Sequence, residues 1–424
     1  MNKNWKAATL AVQGGYEPAD GAPRVAPIVQ STTYRYDTTQ SVADLFDLKR
    51  DGFFYSRLAN PTVDVMEKKI AALEGGVAAV ALSSGQTANT LAIMNIAKAG
   101  DHVVASAALY GGTVNLFTVT LPKMGIKVTL IDSEASEAEI AAAIRPNTRA
   151  IFAETIANPA LTVLDFEKFS SVAKRFDLPF IVDNTFPTPV LCNPFEHGAN
   201  IVTHSTTKYL DGHATSVGGV VVEGGNYNWA NGKFPELSEP DPSYHGLVYT
   251  DSFPAAPYSV KLRVQLVRDL GCIQAPMNAW LTNLGMETLA LRMKQHSANA
   301  LAMAEYLQNH PKVEWVSYPM LPGDSQYDRA KKYLRGGSGV LSFGVKGGKA
   351  AAAKLLDSLK LAALVVHVAD VRTCVLHPAS MTHRQLTDEQ LAAAGVKPEL
   401  VRLSVGIEDI EDIKADFEQA LAQL

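Results

Sequence analysis

The chain has 424 residues, of which 47% are hydrophobic and 19% are charged, and its formal net charge is −5. It contains no Lys/Arg run and no stretch approaching about 18 consecutive apolar residues, which argues against nucleic acid as a partner and against a membrane span. Its three cysteines, Cys192, Cys272 and Cys374, are widely separated, so we expect no disulfide framework and a reducing, cytoplasmic location.

The first predicted elements are an N-terminal arm and a helix. Residues 1–60 are rich in Gly, Pro, Thr and Tyr and show little periodicity, so they are predicted to form an extended arm and not a domain. Asn60 and Pro61 are helix start signals, and Gly75 is a stop signal, which predicts a helix over residues 61–74.

Apolar runs of strand length then alternate with helical segments as far as about residue 225. This alternation is typical of an α/β fold with a mostly parallel sheet flanked by helices, and we assign residues 61–275 to such a large domain. A helical stretch near residues 278–310 leads into a smaller C-terminal α/β domain, residues 276–424, with strands predicted at 338–345 and 400–405. Two domains suit a chain of this length.

One strand–turn–helix segment is a candidate phosphate site. The apolar run 76–82 is followed by Ser83, Ser84, Gly85 and Gln86, and then by a predicted helix. A helix N-terminus reached through a glycine turn presents free backbone N–H groups to an anion. The segment is neither Gly-x-Gly-x-x-Gly nor a Walker loop, so it suits a single phosphate. The alternative is an ordinary strand–turn–helix connection.

Two further apolar runs each end in an ionisable group. The run Phe180-Ile-Val ends at Asp183, and the run beginning at Ile201 leads through hydroxyl residues to Lys208. Ligands of parallel sheets bind at the carboxyl ends of the strands, so one shared site is predicted. A lysine that can form a Schiff base and an aspartate that can pair with a pyridinium nitrogen are the minimal kit for pyridoxal phosphate chemistry. The alternative for Lys208 is a solvated side chain near a helix start.

With these segments in order, the chain resembles the Cys/Met-metabolism family of pyridoxal-phosphate enzymes of fold type I. The resemblance covers nearly the whole chain and rests on eight motifs, namely Tyr55-Ser-Arg57 with Asn60-Pro-Thr, Ser83-Ser-Gly-Gln, Tyr110-Gly-Gly-Thr, Glu154-Thr-Ile-Ala-Asn158-Pro, Val182-Asp-Asn-Thr-Phe, Ser205-Thr-Thr-Lys208-Tyr, His377-Pro-Ala-Ser-Met-Thr-His and Val401-Arg402-Leu-Ser-Val-Gly-Ile-Glu-Asp. It implies an aspartate-aminotransferase-like fold, with a sheet of the seven-stranded type, and pyridoxal 5'-phosphate as cofactor.

The resemblance also implies a role for each motif residue. Lys208 should bind the cofactor covalently and move protons, and Asp183 should keep the pyridine nitrogen protonated. Tyr110 should stack on the ring and act as an acid or base. Arg402 should bind the substrate α-carboxylate, because a planar guanidinium suits that bidentate task. The remaining cofactor ligands should be Ser84, Gly85, Gln86, Asn158, Thr185, Ser205 and Thr207, with Asn158 also near the substrate.

In this family the arm reaches a neighbouring subunit. Tyr55 and Arg57 are therefore expected to contact the neighbour's cofactor phosphate, with Tyr55 also near the substrate, in a homotetramer built from two dimers. The alternative is that both residues only fasten the arm to its own subunit.

The family works at Cβ or Cγ of amino acids, and one segment narrows the reaction. The long polar, Pro-rich stretch 225–249 resembles that of the O-acetylhomoserine sulfhydrylases, which implies O-acetyl-L-homoserine plus sulfide giving L-homocysteine plus acetate, as in methionine biosynthesis. Methionine γ-lyase and cystathionine γ-synthase or lyase remain alternatives. One departure lies before His377, where His367-Val-Ala-Asp370 stands in place of an Asn-x-Gly-Asp or Ser-Leu-Gly-Gly pattern. It leaves the acyl group and the nucleophile, sulfide or methanethiol, open.

Other classes of function fit the sequence less well. His204, His213, His377 and His383 lack a tight ligand spacing and no paired cysteines accompany them, so no metal site is predicted; His383 is expected to pack structurally. A phosphate-binding protein without catalysis, or a nucleotide-binding dehydrogenase, is opposed by the missing Gly-x-Gly-x-x-Gly and by Lys208.

Overall fold

The structure is a computed structural model that describes residues 5–381 and 397–424. The helix Pro61–Glu74 has the predicted bounds, and its caps explain them. The side chain of Asn60 accepts hydrogen bonds from the N–H groups of Thr62 and Val63, and Gly75 ends the helix at a φ of 79°. That left-handed conformation is the one that glycine adopts without a steric cost.

A seven-stranded sheet forms the centre of the larger part of the chain. Its strands are β1 (Ala78–Leu82), β2 (His102–Ser106), β3 (Lys127–Ile131), β4 (Thr148–Glu154), β5 (Phe180–Asp183), β6 (Ile201–Ser205) and β7 (Gly219–Glu223), in the order β1-β7-β6-β5-β4-β2-β3. Only β7 is antiparallel to its neighbours, β1 and β6. The predicted α/β fold with a mostly parallel sheet is therefore confirmed.

Both faces of this sheet are buried, as parallel sheets require. Successive side chains of a strand point to opposite faces. Accordingly Val80 and Val221 belong to one apolar cluster, and Ala81 and Val220 belong to the other. The helical segments between Pro61 and Leu270 are Pro61–Glu74, Gly85–Met94, Gly111–Asn115, the π-helical Leu116–Thr120, Leu121–Lys123, Glu137–Ala142, Phe166–Arg175, Thr188–Leu191, the 3-10 turn Pro194–His197, Pro235–Ser238, the 3-10 turn Pro242–Tyr244, Tyr249–Ser252, Pro257–Lys261, the π-helical Leu262–Val267 and Arg268–Leu270.

A second, smaller sheet follows in the C-terminal part. Its strands are β8 (Val313–Ser317), β9 (Val340–Val345), β10 (Ala363–Leu364), β11 (Cys374–Leu376) and β12 (Leu400–Ser404), in the order β10-β11-β12-β9-β8. Among the described residues from Val313 onward, the helical segments are Tyr327–Tyr333, Gly348–Ser358, the 3-10 turn Pro378–Ser380 and Ile410–Leu421. The predicted second α/β unit is present, and the residue ranges proposed for the arm and the two domains remain predictions.

Two expectations need correction. The helical stretch near residues 278–310 is two helices, Pro276–Glu287 and Leu289–Gln308. Between them the carbonyl of Gly285 accepts from the guanidinium of Arg292 at 2.7 Å and from the N–H of Thr288, which tightens the last turn of the first helix.

The N-terminal 60 residues are less extended than predicted, because they contain the helices Ala7–Gln13 and Thr39–Phe46. The first of these helices buries Leu10 and Ala11 in the same apolar cluster as Met66 and Ile70. Part of the arm therefore packs on its own chain. No helix in residues 5–381 and 397–424 is long and apolar enough to cross a membrane.

Candidate active site

The carboxyl edge of the large sheet borders a cavity of about 250 Å³. Strands β4, β5 and β6 and the turn after β1 each deliver polar side chains to it, and Arg402 on β12 closes it from the second sheet. The cavity brings together every predicted site residue outside the arm, since it is lined by Ser84, Gly85, Gln86, Asn89, Tyr110, Glu154, Asn158, Asp183, Thr185, Phe186, Ser205, Thr207, Lys208, Val366, His367, Val368 and Arg402.

The turn after β1 has the form of an anion site. Ser84 caps the helix Gly85–Met94, and its Oγ accepts from the N–H of Thr87 at 3.1 Å. The first N–H groups of a helix have no intrahelical carbonyl, so those of Gly85 and Gln86 are available to a ligand. A Cβ on Gly85 would lie 2.5 Å from the Cβ of Ser205, so only glycine permits this close approach of the turn to β6.

Asp183 is held by donors on both carboxylate oxygens. Its Oδ1 accepts from the N–H and the Oγ1 of Thr185, at 3.0 and 2.5 Å, and its Oδ2 accepts from Nδ2 of Asn89 at 3.0 Å. Asn89 is itself oriented by Thr203, whose Oγ1 donates to its Oδ1 at 2.6 Å. Sequence reasoning missed Asn89, although it lies one helical turn after Gly85 and so faces the same way.

A second carboxyl group, Glu154, was also missed. It is the register partner of Asp183 on the neighbouring strand, is buried, and accepts the N–H of Tyr110 at 2.7 Å. Burial, and then the nearby charge of Asp183, raise the pKa of Glu154 well above its usual value. The signal in the sequence was the one used for Asp183, an apolar run that ends in a carboxylate.

Lys208 lies after β6 with its amine half-buried in the cavity. Burial, and then the positive charge of Arg402, lower the pKa of Lys208 to about 8. Its Nζ lies 3.4 Å from Nδ1 of His367. Burial, and then the charge of Lys208, lower the pKa of His367 to about 4, so its imidazole is neutral at pH 7. The sequence marked the 367–370 segment as unusual but gave His367 no role.

Among the residues that the structure describes, Arg402 is a buried cation without a carboxylate partner. It is 8% exposed, its Nη1 donates to Oδ1 of Asn158 at 3.2 Å, and its Nη2 donates to the carbonyl of His367 at 3.1 Å. Burial lowers the pKa of Arg402 to about 10. No carboxylate in residues 5–381 and 397–424 forms a salt bridge with it. A buried charge is costly unless it is paired, so this guanidinium is suited to an anionic ligand.

The ring of Tyr110 is 48% exposed at the entrance to the cavity, and Gly112 beside it has no room for a Cβ, which would lie 2.5 Å from Cε1 of Tyr110. Tyr55 and Arg57 do not line this cavity. They lie in a separate groove of about 510 Å³, where Arg57 stands 5.0 Å from the Tyr55 ring and donates to the carbonyl of Arg268.

The four histidines considered for metal binding make other contacts or lie outside the described residues. His204 pairs with buried Glu74 at 2.5 Å, and His377 contacts the carbonyl of Pro398 at 2.7 Å. His213 contacts the carbonyl of Asp211, also at 2.7 Å. His383 is outside the described residues. Within residues 5–381 and 397–424 no group of three or more His, Cys, Asp or Glu side chains could hold a metal ion.

The site and the fold are those of the fold type I class of pyridoxal-phosphate enzymes. A lysine, a strand-end aspartate, a glycine turn at a helix start and a buried arginine meet at the carboxyl edge of a seven-stranded sheet. The chain belongs to the Cys/Met metabolism PLP-dependent enzyme family, whose model matches residues 8–422. The cofactor expected from the sequence, pyridoxal 5'-phosphate, is therefore confirmed at the level of the family.

Relatives of known name cover nearly the whole chain. The chain is 48% identical to the O-acetyl-L-homoserine sulfhydrylase of Leptospira meyeri, over 100% of this chain and 98% of the relative. It is 47% identical to the homocysteine synthase of Schizosaccharomyces pombe, over 97% of each. A crystal structure from Campylobacter jejuni, assigned as an O-acetylhomoserine (thiol)-lyase, is 37% identical with a TM-score of 0.95, covers 99% of this chain and 100% of its own, and contains N'-pyridoxyl-lysine-5'-monophosphate at position 205 of that protein.

Proposed function

We propose that this chain is an O-acetylhomoserine sulfhydrylase, which transfers the aminocarboxypropyl group of O-acetyl-L-homoserine to sulfide and releases L-homocysteine and acetate. The observation that carries the proposal is the cavity in which the Lys208 amine and the buried Arg402 guanidinium converge. The names of the relatives, similar over nearly their full length, select the sulfhydrylase reaction among those of the family.

The residues present fit pyridoxal phosphate. The glycine turn leaves no room for a Cβ, and Oε1 of Gln86 is buried with no hydrogen-bond partner among the described residues. Asp183, fixed by Thr185 and Asn89, would hold the pyridine nitrogen, and Tyr110 would stack on the ring. The phosphate would bind the turn and the hydroxyl residues, that is Ser84, Gly85, Gln86, Ser205 and Thr207. When bound, the cofactor supplies an electron sink for carbanion chemistry next to the substrate amine.

Arg402 and Asn158 would bind and orient the amino acid. The pair is already joined by a hydrogen bond of 3.2 Å, so the guanidinium keeps a fixed direction before the substrate arrives. Lys208 would hold and move the proton at Cα, and an amine with a pKa of about 8 is close to neutral pH, where transfer in both directions is efficient.

Replacement of Arg402 by lysine tests the carboxylate role. A lysine offers no parallel pair of donors, and a hydrogen bond to a charged group contributes roughly 1.5–3 kcal/mol, so Arg402→Lys should lower kcat/KM for O-acetylhomoserine by about ten- to a hundredfold. The near-visible absorbance of the cofactor should not change. The matched control is Arg329→Lys, at an arginine that pairs with Glu134 away from the cavity and whose replacement should leave the kinetics unchanged. Equal kinetics for Arg402→Lys and wild type would contradict the assignment.

The stretch 225–249, which resembles that of sulfhydrylases, is ordered and packed. It buries Trp229, Phe234, Leu237 and Tyr249 against the helices of the large part. The hydroxyl of Tyr244 in this stretch accepts from Nη1 of Arg268 at 2.9 Å. The carbonyl of Arg268 in turn accepts from Arg57 of the arm, so the stretch supports the arm residue that is expected to reach a second subunit.

Product analysis is the direct test of the reaction. Purified protein supplied with O-acetylhomoserine and sulfide should form homocysteine, and without sulfide it should release 2-oxobutyrate only slowly. Sulfide should outcompete cysteine as nucleophile, because the chain is 48% identical to an O-acetyl-L-homoserine sulfhydrylase over its whole length. Chromatography with mass detection separates these products. Rapid decomposition of methionine or cystathionine would instead indicate a γ-lyase.

Assembly and location complete the proposal. We place the active sites at the interface of two subunits, within a homotetramer formed by two such dimers, because Tyr55 and Arg57 lie outside their own chain's cavity. The three cysteines are unpaired, which supports a reducing compartment such as the cytoplasm.

A further inference from the structure

His367 is the imidazole that faces the reactive amine. Its Nδ1 lies 3.4 Å from Nζ of Lys208, and both side chains line the same cavity. The distance is long for a hydrogen bond, as is common for catalytic contacts before a ligand is bound. This distance applies to Lys208 with a free amine.

The position of His367 is fixed by its own backbone. Its carbonyl accepts from Nη2 of Arg402 at 3.1 Å and from Sγ of Cys374 at 3.6 Å. Two residues later Ala369 is fully buried, and its N–H donates to Oγ of Ser404 on β12 at 2.9 Å. The imidazole therefore sits on a segment tied to the strand that carries the substrate-binding arginine.

The charges around the two groups determine which one is protonated. Four charged side chains influence the pKa of His367. Burial and the two cations, Lys208 and Arg402, favour the neutral imidazole, whereas the carboxylates of Asp370 and Asp211 favour the protonated form. For Lys208, burial and then Arg402 lower the pKa of the amine, and Cys374 opposes them. The neutral imidazole has one unprotonated nitrogen, which can accept a hydrogen bond from an ammonium group.

We propose that His367 is a positioning residue for Lys208: its Nδ1 accepts a hydrogen bond from the ammonium form of the lysine and holds it beside the substrate bound by Arg402. The expected effect on turnover rests on the proposed function. An acceptor in contact with a charged donor favours the charged form, so His367 also supports the protonated state of an amine that burial makes easier to deprotonate.

Two replacements of nearly equal shape separate the acceptor from packing. His367→Asn places Oδ1 at the same number of bonds from the backbone as Nδ1, whereas His367→Leu keeps the branched shape and removes the acceptor. In the holoenzyme, His367→Leu should lower kcat for homocysteine formation by about tenfold or more, with KM for O-acetylhomoserine changed by less than about twofold. His367→Asn should recover most of kcat. If the two variants differ in thermal stability, both are assayed well below their unfolding temperatures.

A second measurement needs no turnover. The full chain, freed of cofactor, is labelled with acetic anhydride across a range of pH, and acetylation of Lys208 is followed by mass spectrometry. The pH at which acetylation of Lys208 is half-maximal should be about one unit lower in His367→Leu than in wild type, because the acceptor is missing. In His367→Asn it should stay close to wild type. Equal midpoints for wild type and His367→Leu would overturn the proposal. A wild-type chain that forms no homocysteine would contradict the proposed function alone, because the labelling result stands without substrate.

Discussion

Replacement of Lys208 by alanine should abolish homocysteine formation while the protein still folds and binds pyridoxal phosphate without a covalent bond. Lys208 is the amine at the centre of the cavity, and general acid–base catalysis by itself contributes about 100- to 10,000-fold to a rate. The turn after β1 and Asp183 remain, so the cofactor keeps its phosphate and ring contacts. Borohydride treatment should fix the cofactor to the wild-type chain at Lys208, and mass spectrometry should find no such product in the variant.

Lys261 provides a matched control for this experiment. Burial also lowers the pKa of Lys261 to about 8, but its Nζ donates to the carbonyl of Asn95 at 2.9 Å and lies outside the cavity. Lys261→Met should therefore lower stability and leave the covalent cofactor bond intact. Homocysteine formation by Lys208→Ala at wild-type rates would show that another residue is the base.

Inactive Arg57→Ala and Lys208→Ala chains should recover activity when they are unfolded together and refolded as mixed dimers. The cofactor phosphate is a dianion, yet the residues that would surround it in the cavity, from Ser84 to Gln86 together with Ser205 and Thr207, are all uncharged. Arg57 is suited to supply the missing charge, because its fork offers parallel donors. Its place in a separate groove of its own chain is why we expect it to act on the partner.

The expected recovery follows from counting sites. In a one-to-one mixture about half of the dimers contain both kinds of chain, and in each of these one of two sites carries neither lesion, which gives about a quarter of wild-type activity. Arg35→Ala is the control, since Arg35 lies in the same arm and is exposed, with Asp37 as its partner at 3.4 Å. If verified mixed dimers stay as inactive as their parents, Arg57 serves only its own subunit.

Much of the fold could be predicted because local signals and tertiary packing agree. The helix Pro61–Glu74 has strong start and stop residues, and a fully buried strand such as β5 reads as a continuous apolar run. Prediction was weaker where the determining contact is distant in sequence. The break at Thr288 depends on the side chain of Arg292, and the short helix Ala7–Gln13 is stabilised by packing on Pro61–Glu74, since a helix of seven residues is marginal alone.

The sequence by itself determined the elements that end in reactive groups, because strand periodicity and turn residues are local properties. Lys208, Asp183 and the Ser84–Gln86 turn could be placed at strand ends for that reason. Only the tertiary structure decided which groups meet there. Glu154 acquires its raised pKa from burial beside Asp183, and His367 meets Lys208 across 159 positions of the chain. Burial and charge pairing depend on neighbours that folding brings together from distant segments, so no local pattern encodes them.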